Sequence, residues 1–287
     1  AGSRVYAQDL EPRLYTNLPV GQKFVGVVYA FSSGELTPAP SVPLEDTDLD
    51  VHSTVVAYVQ TFALADHVAK IDANWGVQCF EGSGVLDGTY IEGERCGSLD
   101  PRVRLSFNFV GERALTLEEF VRERPRGLVI GSSLQVGLPL GTYKDDKIIN
   151  SSSNRWFLKP EVGLSNSFGN WSIDLALSAR IFGDNEDFIG DRTLKQDNIY
   201  ALQAHVIYGL SRGRWIALNA NYFHGGKTTK DGFGSGDLQK NSRYGMTYAW
   251  PLNSRHTLKF LVHSALATSI GNDFTTAGLA WQYRWGN

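Results

Sequence analysis

The chain alternates between apolar and polar positions with a period of two. From Trp171 to Phe182 it reads W-S-I-D-L-A-L-S-A-R-I-F, with Trp171, Ile173, Leu175, Leu177, Ala179 and Ile181 on one face. Ser172, Asp174, Ala176, Ser178 and Arg180 fall on the other. That period belongs to a strand, not a helix. In the preceding segment Trp156, Leu158, Pro160, Val162 and Leu164 alternate with Arg155, Phe157, Lys159, Glu161, Gly163 and Ser165. Phe168-Gly169-Asn170 between them has tight-turn composition, so a hairpin is predicted.

The pattern recurs along the chain. Tyr200, Leu202, Ala204, Val206 and Tyr208 oppose Gln203 and His205, and Ile216, Leu218, Ala220 and Tyr222 oppose Asn219 and Asn221. Tyr244, Met246, Tyr248 and Trp250 oppose Arg243 and Thr247, and Leu258, Phe260, Val262 and Leu266 oppose Lys259 and His263. The last segment sets Ala277, Leu279, Trp281, Tyr283 and Trp285 against Thr276, Gln282 and Arg284. Earlier, Val103, Leu105, Phe107 and Phe109 oppose Arg102, Arg104, Ser106 and Asn108, while Ile71, Ala73, Trp75 and Val77 oppose Lys70, Asp72, Asn74 and Gln78. Less regular strands are read at 24–32, 51–64 and 127–139, for a total of about twelve.

Strand length separates two readings of this pattern. Strands of a soluble sandwich run about five or six residues. These run roughly nine to thirteen, enough for a tilted strand to cross a hydrocarbon core. Aromatic residues also stand at the ends of the apolar faces (Trp171, Tyr208, Tyr222, Trp250, Trp285), as interfacial girdles do. The reading is a closed, all-β, antiparallel transmembrane barrel of the bacterial outer membrane. Residues 1–22 form a polar leading segment, and residues 23–287 form the barrel.

Composition agrees and removes other classes. Among 287 residues, 42% are hydrophobic and 20% charged, with 30 Gly and 34 aromatics counted from 15 Phe, 12 Tyr and 7 Trp. Only alternate wall residues need be apolar, so a membrane barrel fits this balance. A net charge of −3 argues against a nucleic-acid binder. No run of eighteen or more apolar residues offers a transmembrane helix.

The connections alternate in length. Short turns are expected at 65–67, 168–170, 211–213 and 252–255, on the periplasmic side. External loops are expected at 33–50, 80–100, 141–154, 184–197 and 225–240, with a modest one at 271–274. The exception is 111–126. There Thr116-Leu-Glu-Glu119 reads as a capping box opening a short amphipathic helix against the periplasmic rim. An even strand count places both termini on that side. The opening Ala-Gly-Ser-Arg-Val-Tyr-Ala-Gln-Asp lacks a cleavable signal peptide and reads as the start of a mature chain. Residues 1–22, with Pro12 and Pro19, either hang loose in the periplasm or tuck into the lumen. The small inward residues of the first strand (Gly26, Val28 and Ala30, after Phe24) favour tucking.

The chain has two cysteines, Cys79 at a strand end and Cys96 in the loop that follows. Their spacing fits no structural zinc site. In an oxidising exterior a disulfide is expected, closing a loop of about eighteen residues and contributing around 3 kcal/mol. Asp184-Asn185-Glu186-Asp187 lacks the spacing of a calcium loop and reads as a solvated loop, and Asp231–Asp237 is no phosphate loop. No metal or other cofactor is expected.

Several stretches resemble the outer-membrane proteins named for the meta pathway of phenol degradation. They are Asp9-Leu-Glu-Pro-Arg13 with Tyr15-Thr-Asn-Leu-Pro-Val-Gly21, Asp100-Pro-Arg-Val-Arg-Leu-Ser106, Glu119-Phe120, and Asn154-Arg-Trp156 with Lys159-Pro-Glu161. Next come Gln203-Ala-His-Val-Ile-Tyr208, Tyr222-Phe-His-Gly-Gly226 with Thr228-Thr229, Gly271-Asn-Asp-Phe274, and Ala280-Trp-Gln-Tyr-Arg-Trp285. Glu112-Arg113 departs from the family pattern, where Ala-Pro stands. The resemblance spans nearly the whole chain and implies a transporter-like barrel, in some cases encoded beside aromatic catabolism.

Function is therefore expected in the lumen. The inward candidates are Lys70, Asp72, Arg102, Arg104, Arg155, Lys159, Glu161, Asp174, Arg180, Gln203, His205, Asn219, Asn221, Arg243, Lys259, His263 and Arg284, with cations in surplus. A salt-bridge network filling a narrow barrel would use the same residues. A remaining pore would favour anions or polar groups of small organic solutes. Outer-membrane lipid, lipopolysaccharide and a small solute are the expected partners, nucleic acid is not, and a monomer is expected. The leading function is a channel or uptake protein for small organic solutes, aromatic compounds among them. The alternatives are a sealed structural barrel and a barrel hydrolase. The hydrolase is disfavoured because no Gly-x-Ser-x-Gly elbow occurs and Ser264 falls on the outward face, leaving His205 with only Ser172 or Ser178 as imaginable partners.

Overall fold

The structure is a computed structural model and describes residues 11–37, 44–123, 125–147, 149–190 and 192–286. Twelve strands make the wall. They are β1 (Gln22–Thr37), β2 (Leu44–Leu64), β3 (His67–Leu86), β4 (Arg102–Val110), β5 (Gly127–Gly137) and β6 (Phe157–Phe168). After these come β7 (Trp171–Phe182), β8 (Ile199–Gly209), β9 (Trp215–Gly225), β10 (Gln239–Pro251), β11 (His256–Ala267) and β12 (Gly271–Gly286). Each strand pairs antiparallel with its neighbours in sequence, and β12 returns to β1 with Gln22 opposite Gly286. Closure leaves no exposed edge and gives the ladder's polar backbone groups partners within the wall.

The predicted faces hold throughout the wall. On β9, Leu218 and Tyr222 are exposed outward while Asn219 and Asn221 are buried inward; on β6, Val162 is exposed and Lys159 and Glu161 are buried. The outward face is apolar and the inward face polar, the reverse of a soluble globule and the arrangement a lipid-embedded barrel requires. No helix among the described residues is long and apolar enough to cross a membrane.

The ladder is broken at one place between β6 and β7. Pairing passes from Leu158 opposite Ile181 to Glu161 opposite Ser178 in an unchanged register, the ladder skipping Lys159, Pro160, Ala179 and Arg180. Pro160 has no N–H to donate, which explains a gap centred there. Outside the wall at this level lies a concavity of about 830 Å³ lined largely by outward apolar residues of β4 to β9, including Leu134, Pro160, Val162, Leu177 and Tyr200.

The long-loop end departs from expectation. Residues 33–37, 44–50 and 80–86 are strand rather than loop, and Thr89–Ser98 forms a further ribbon paired to the upper part of β3. The turn residues of this tall hairpin are Asp87 and Gly88, both with positive φ. Cys79 and Cys96 stand directly opposite in that ribbon and form the disulfide, so Cys96 is in a strand and not in a loop. Above the wall the outward face meets water instead of lipid while Leu44, Leu49 and Val51 stay buried, so the many polar residues of Leu-Glu-Asp-Thr-Asp-Leu-Asp50 hide the alternation. The 184–197 and 225–240 segments likewise hold a small sheet of short strands, Asn185–Phe188, Arg192–Gln196, Thr228–Lys230 and Phe233–Gly234. The segment at 271–274 belongs to β12.

At the other end the helix α1 (Leu117–Glu123) forms as predicted. The Glu119 carboxylate accepts from the Thr116 backbone N–H at 2.8 Å, and the Thr116 hydroxyl accepts from the Glu119 N–H at 3.3 Å. Arg113 pairs with Glu119 at 3.1 Å and Glu123 at 3.2 Å. The departure from the family pattern at Glu112-Arg113 thus supplies a cation that clasps the helix.

Candidate functional site

The interior carries a charged network on one side and a patch of small apolar residues on β1 and β2 on the other. Strands β3 to β8 carry the charged network. Arg104 Nε donates to Asp72 at 2.8 Å and its Nη1 to Glu11 at 2.6 Å, while Lys159 pairs with Glu161 at 3.1 Å. Lys70, Asp72, Arg104, Lys159, Glu161, Asp174, Gln203 and His205 are all buried. A charge in such a position needs a partner, because burial of an isolated ion is costly.

The described part of the leading segment supplies much of that pairing. The Arg13 backbone N–H donates to Asp174 at 2.7 Å, Tyr15 Oη donates to Glu161 at 3.0 Å, and Lys70 Nζ donates to the Leu14 carbonyl. Asn108 Nδ2 donates to the Tyr15 carbonyl at 3.4 Å, and the Val20 N–H reaches the Leu115 carbonyl at 2.8 Å. Residues 11–20 therefore lie across the inward faces of β3 to β7; residues 1–10 lie outside the described part. Tyr15 is held by shape as well. Gly131 and Gly163 stand opposite each other on β5 and β6. A Cβ added at either would sit 2.7 Å or 2.2 Å from the Tyr15 ring, so the absence of side chains there makes its socket.

Strands β8 to β10 continue the polar lining. The His205 and Asn219 side chains share a hydrogen bond of 2.8 Å (Nδ1 to Oδ1), and Asn219 Nδ2 donates to Thr247 at 3.0 Å. Asn221 is buried beside them on β9. The hydroxyls weighed as nucleophiles bond elsewhere: Ser172 to Ser167 at 2.8 Å, and Ser264 to Thr275 at 2.9 Å on the outward face.

The remaining candidates separate by height. Arg102 and Arg180 lie over the Phe157 ring near the long-loop end, at 5.9 and 4.9 Å, and Arg155 lies over Phe182 at 4.7 Å. Arg155 also donates to Gln196. Arg243 donates to the Asn272 carbonyl at 2.9 Å. Arg284 lies at the short-turn rim, donating to the Ser254 carbonyl at 2.8 Å. Lys259 is half-buried toward the same end. The seventeen residues thus form a central network, an upper arginine group and a lower pair, not one cluster.

The apolar patch was not foreseen as a unit. Strands β1 and β2 turn Val28, Ala30, Val55 and Ala57 inward around a cavity of about 320 Å³, whose remaining lining is largely polar and includes Glu11, Asp100, Arg102, Asn219, Thr247 and His263. Above it, Leu49, Val51, Phe80 and Phe274 form a buried apolar cluster with Ile149 packed against it. His263 Nδ1 is buried without a hydrogen-bond partner among the described residues. Sequence reading located His263 but weighted the charged residues, since small side chains such as Ala30 and Ala57 carry no chemistry of their own. Glu11, Arg13 and Tyr15 were missed as interior residues because their partners Arg104, Asp174 and Glu161 are 93, 161 and 146 residues away in sequence. Among the described residues no three His, Cys, Asp or Glu side chains converge as a metal site would require, and Asp184 pairs instead with Lys195 at 3.1 Å.

The fold is shared with solved outer-membrane barrels. The chain is similar to the COG4313 outer membrane channel from Pseudomonas putida F1, with 20% identity and a TM-score of 0.80 over 96% of this chain and 100% of that one. It is more distantly similar to the transport unit of the autotransporter AIDA-I from Escherichia coli, with 11% identity and a TM-score of 0.54 over 100% of this chain and 95% of that one. No curated protein matches the sequence. The family model described as putative MetA-pathway of phenol degradation matches residues 35–283. With its alternating wall, paired interior and closed order of twelve strands, the chain belongs to that family.

Proposed function

We propose that this chain is an uptake channel of the bacterial outer membrane for small organic solutes with an apolar body and one hydrogen-bonding group, aromatic compounds among them. The observation that carries this reading is the cavity against the small apolar residues of β1 and β2. A cavity of about 320 Å³ with Val28, Ala30, Val55 and Ala57 on its wall lies beneath the Leu49–Phe80 cluster, and His263 brings it an unpartnered ring nitrogen. Its volume is that of a small-molecule site, and Glu11, Ser53, Arg102, Asn219 and Thr247 set polar groups against the apolar wall to orient the occupant. The charged side is already occupied by its own partners and by residues 11–15, so it offers a hydrophilic ion little room. The short turns and α1 face the periplasm and the tall disulfide-bonded hairpin faces outward. The chain acts without catalysis in this reading. The likeness to the P. putida channel supports it.

The filled charged side also favours a second reading, a sealed structural barrel. Planar-bilayer recording separates the two. The uptake reading expects a small single-channel current that phenol or benzoate reduces. Replacing His263 with Leu is expected to raise the half-blocking concentration by about tenfold, the loss of one buried hydrogen bond. Absence of both current and solute effect would leave the sealed barrel as the answer.

A further inference from the structure

The short-turn end is unevenly charged around its circumference. The β8–β9 turn carries Arg212 and Arg214, the β10–β11 turn carries Arg255, and the adjoining ends of β12 and β1 carry Arg284 and Lys23. Residues 207–216, 250–257, 281–286 and 20–24 contain no Asp or Glu. On the opposite arc the sequence sets five acids, Asp66, Glu112, Glu118, Glu119 and Glu123, against four arginines, Arg113, Arg122, Arg124 and Arg126.

The first two turns of the basic arc enclose a pocket of about 600 Å³, with Arg212 and Arg214 on one side and Trp250 to Ser254 on the other. The Arg214 guanidinium is anchored on its own turn, donating to the Ser211 carbonyl at 3.1 Å and hydroxyl at 2.9 Å. Arg212 has no side-chain hydrogen bond or ion pair among the described residues, so none of them answers its charge. Trp250 and Leu252 in the pocket wall are 45% and 49% exposed. Trp281, Tyr283 and Trp285 stack along the same end of the outward face, at 6.4 and 5.6 Å. Such rings mark the depth at which hydrocarbon gives way to headgroups.

We propose that this pocket binds the phosphate headgroup of an anionic phospholipid of the periplasmic leaflet, with its acyl chains lying along Trp250 and Leu252. The inference rests on the membrane placement above, but not on the solute proposed for the lumen. Two guanidinium groups beside an interfacial tryptophan match a phosphodiester in charge and in donor geometry. A zwitterionic headgroup would bring its own cation into an arc already holding five.

Native mass spectrometry of the full chain in detergent tests this, with dioleoylphosphatidylglycerol or dioleoylphosphatidylcholine added at equal concentration. Retention of the glycerol lipid over the choline lipid is expected. Arg212→Gln/Arg214→Gln is expected to weaken that retention by about tenfold or more, and Arg212→Lys/Arg214→Lys to preserve most of it. Lys144→Gln/Lys147→Gln at the far end removes the same charge and is expected to change nothing. Excess inorganic phosphate is expected not to displace the lipid. Equal retention of the two lipids, unchanged retention by the glutamine pair, or displacement by phosphate alone would overturn the proposal. If the glutamine pair does not fold, the comparison of the two lipids on the unaltered chain decides.

Discussion

At the scale of single residues, the interior is governed by what the glycines leave open and what the charges demand. Gly163 is an inward position with no side chain, and the Tyr15 ring occupies the space where a Cβ would be. Gly163→Val therefore overfills the socket, a strain of about 1–3 kcal/mol that the segment relieves by leaving. The expected result is faster amide hydrogen exchange across residues 11–20 and a larger single-channel current. Unchanged protection would mean that the charge pairs, not the ring, hold the segment. At the rim, Glu119 answers to a different balance. The Thr116 backbone N–H, then its hydroxyl and Arg113, hold the Glu119 carboxyl down to about 2. A depressed carboxyl in the folded state contributes stability above its ordinary value of about 4.3, and that contribution is lost as pH falls toward 2. An NMR titration of the Glu119 carboxyl should show a midpoint near 2, moving up toward the ordinary value in Thr116→Ala. An unmoved midpoint would assign the shift to the Thr116 backbone N–H and Arg113, both of which the alanine variant retains.

At the scale of elements, alternation reveals a strand only where its two faces meet different media. The strands β6 to β11 stand within that contrast, and their residues were readable one by one. The upper parts of β2 and β3 rise beyond the lipid, where the outward face is polar as well, and there the signal vanished although the hydrogen-bonded ladder continues and Leu49, Val51 and Phe80 stay buried. The Cys79–Cys96 bond ties the upper part of β3 to the Thr89–Ser98 ribbon, joining residues already opposite each other. A loop of this length gives about 3 kcal/mol in the chain-entropy account, and here the effect is confined to a hairpin that few other elements touch. Cys79→Ser/Cys96→Ser is thus expected to keep the barrel and its heat-resistant migration while residues 81–95 become open to protease. A variant that fails to assemble any barrel would show that the bond acts on the wall itself.

At the scale of the whole molecule, closure is what turns twelve ordinary strands into a membrane protein with an inside. The sequence by itself determined the wall, because lipid outside and polar groups inside impose a period of two on every crossing strand. It also determined the helix through its capping box, and the inward facing of Lys70, Arg104, Glu161, His205 and their like. Only the tertiary structure decided how those groups divide. Whether Arg104 meets Glu11, whether Tyr15 enters a socket of two glycines, and whether Ala30, Ala57 and His263 share one cavity depend on which strands face each other across the lumen. Periodicity carries which way a side chain points but not what lies opposite it, since cross-barrel neighbours are set by closure and stagger rather than by adjacency in the chain.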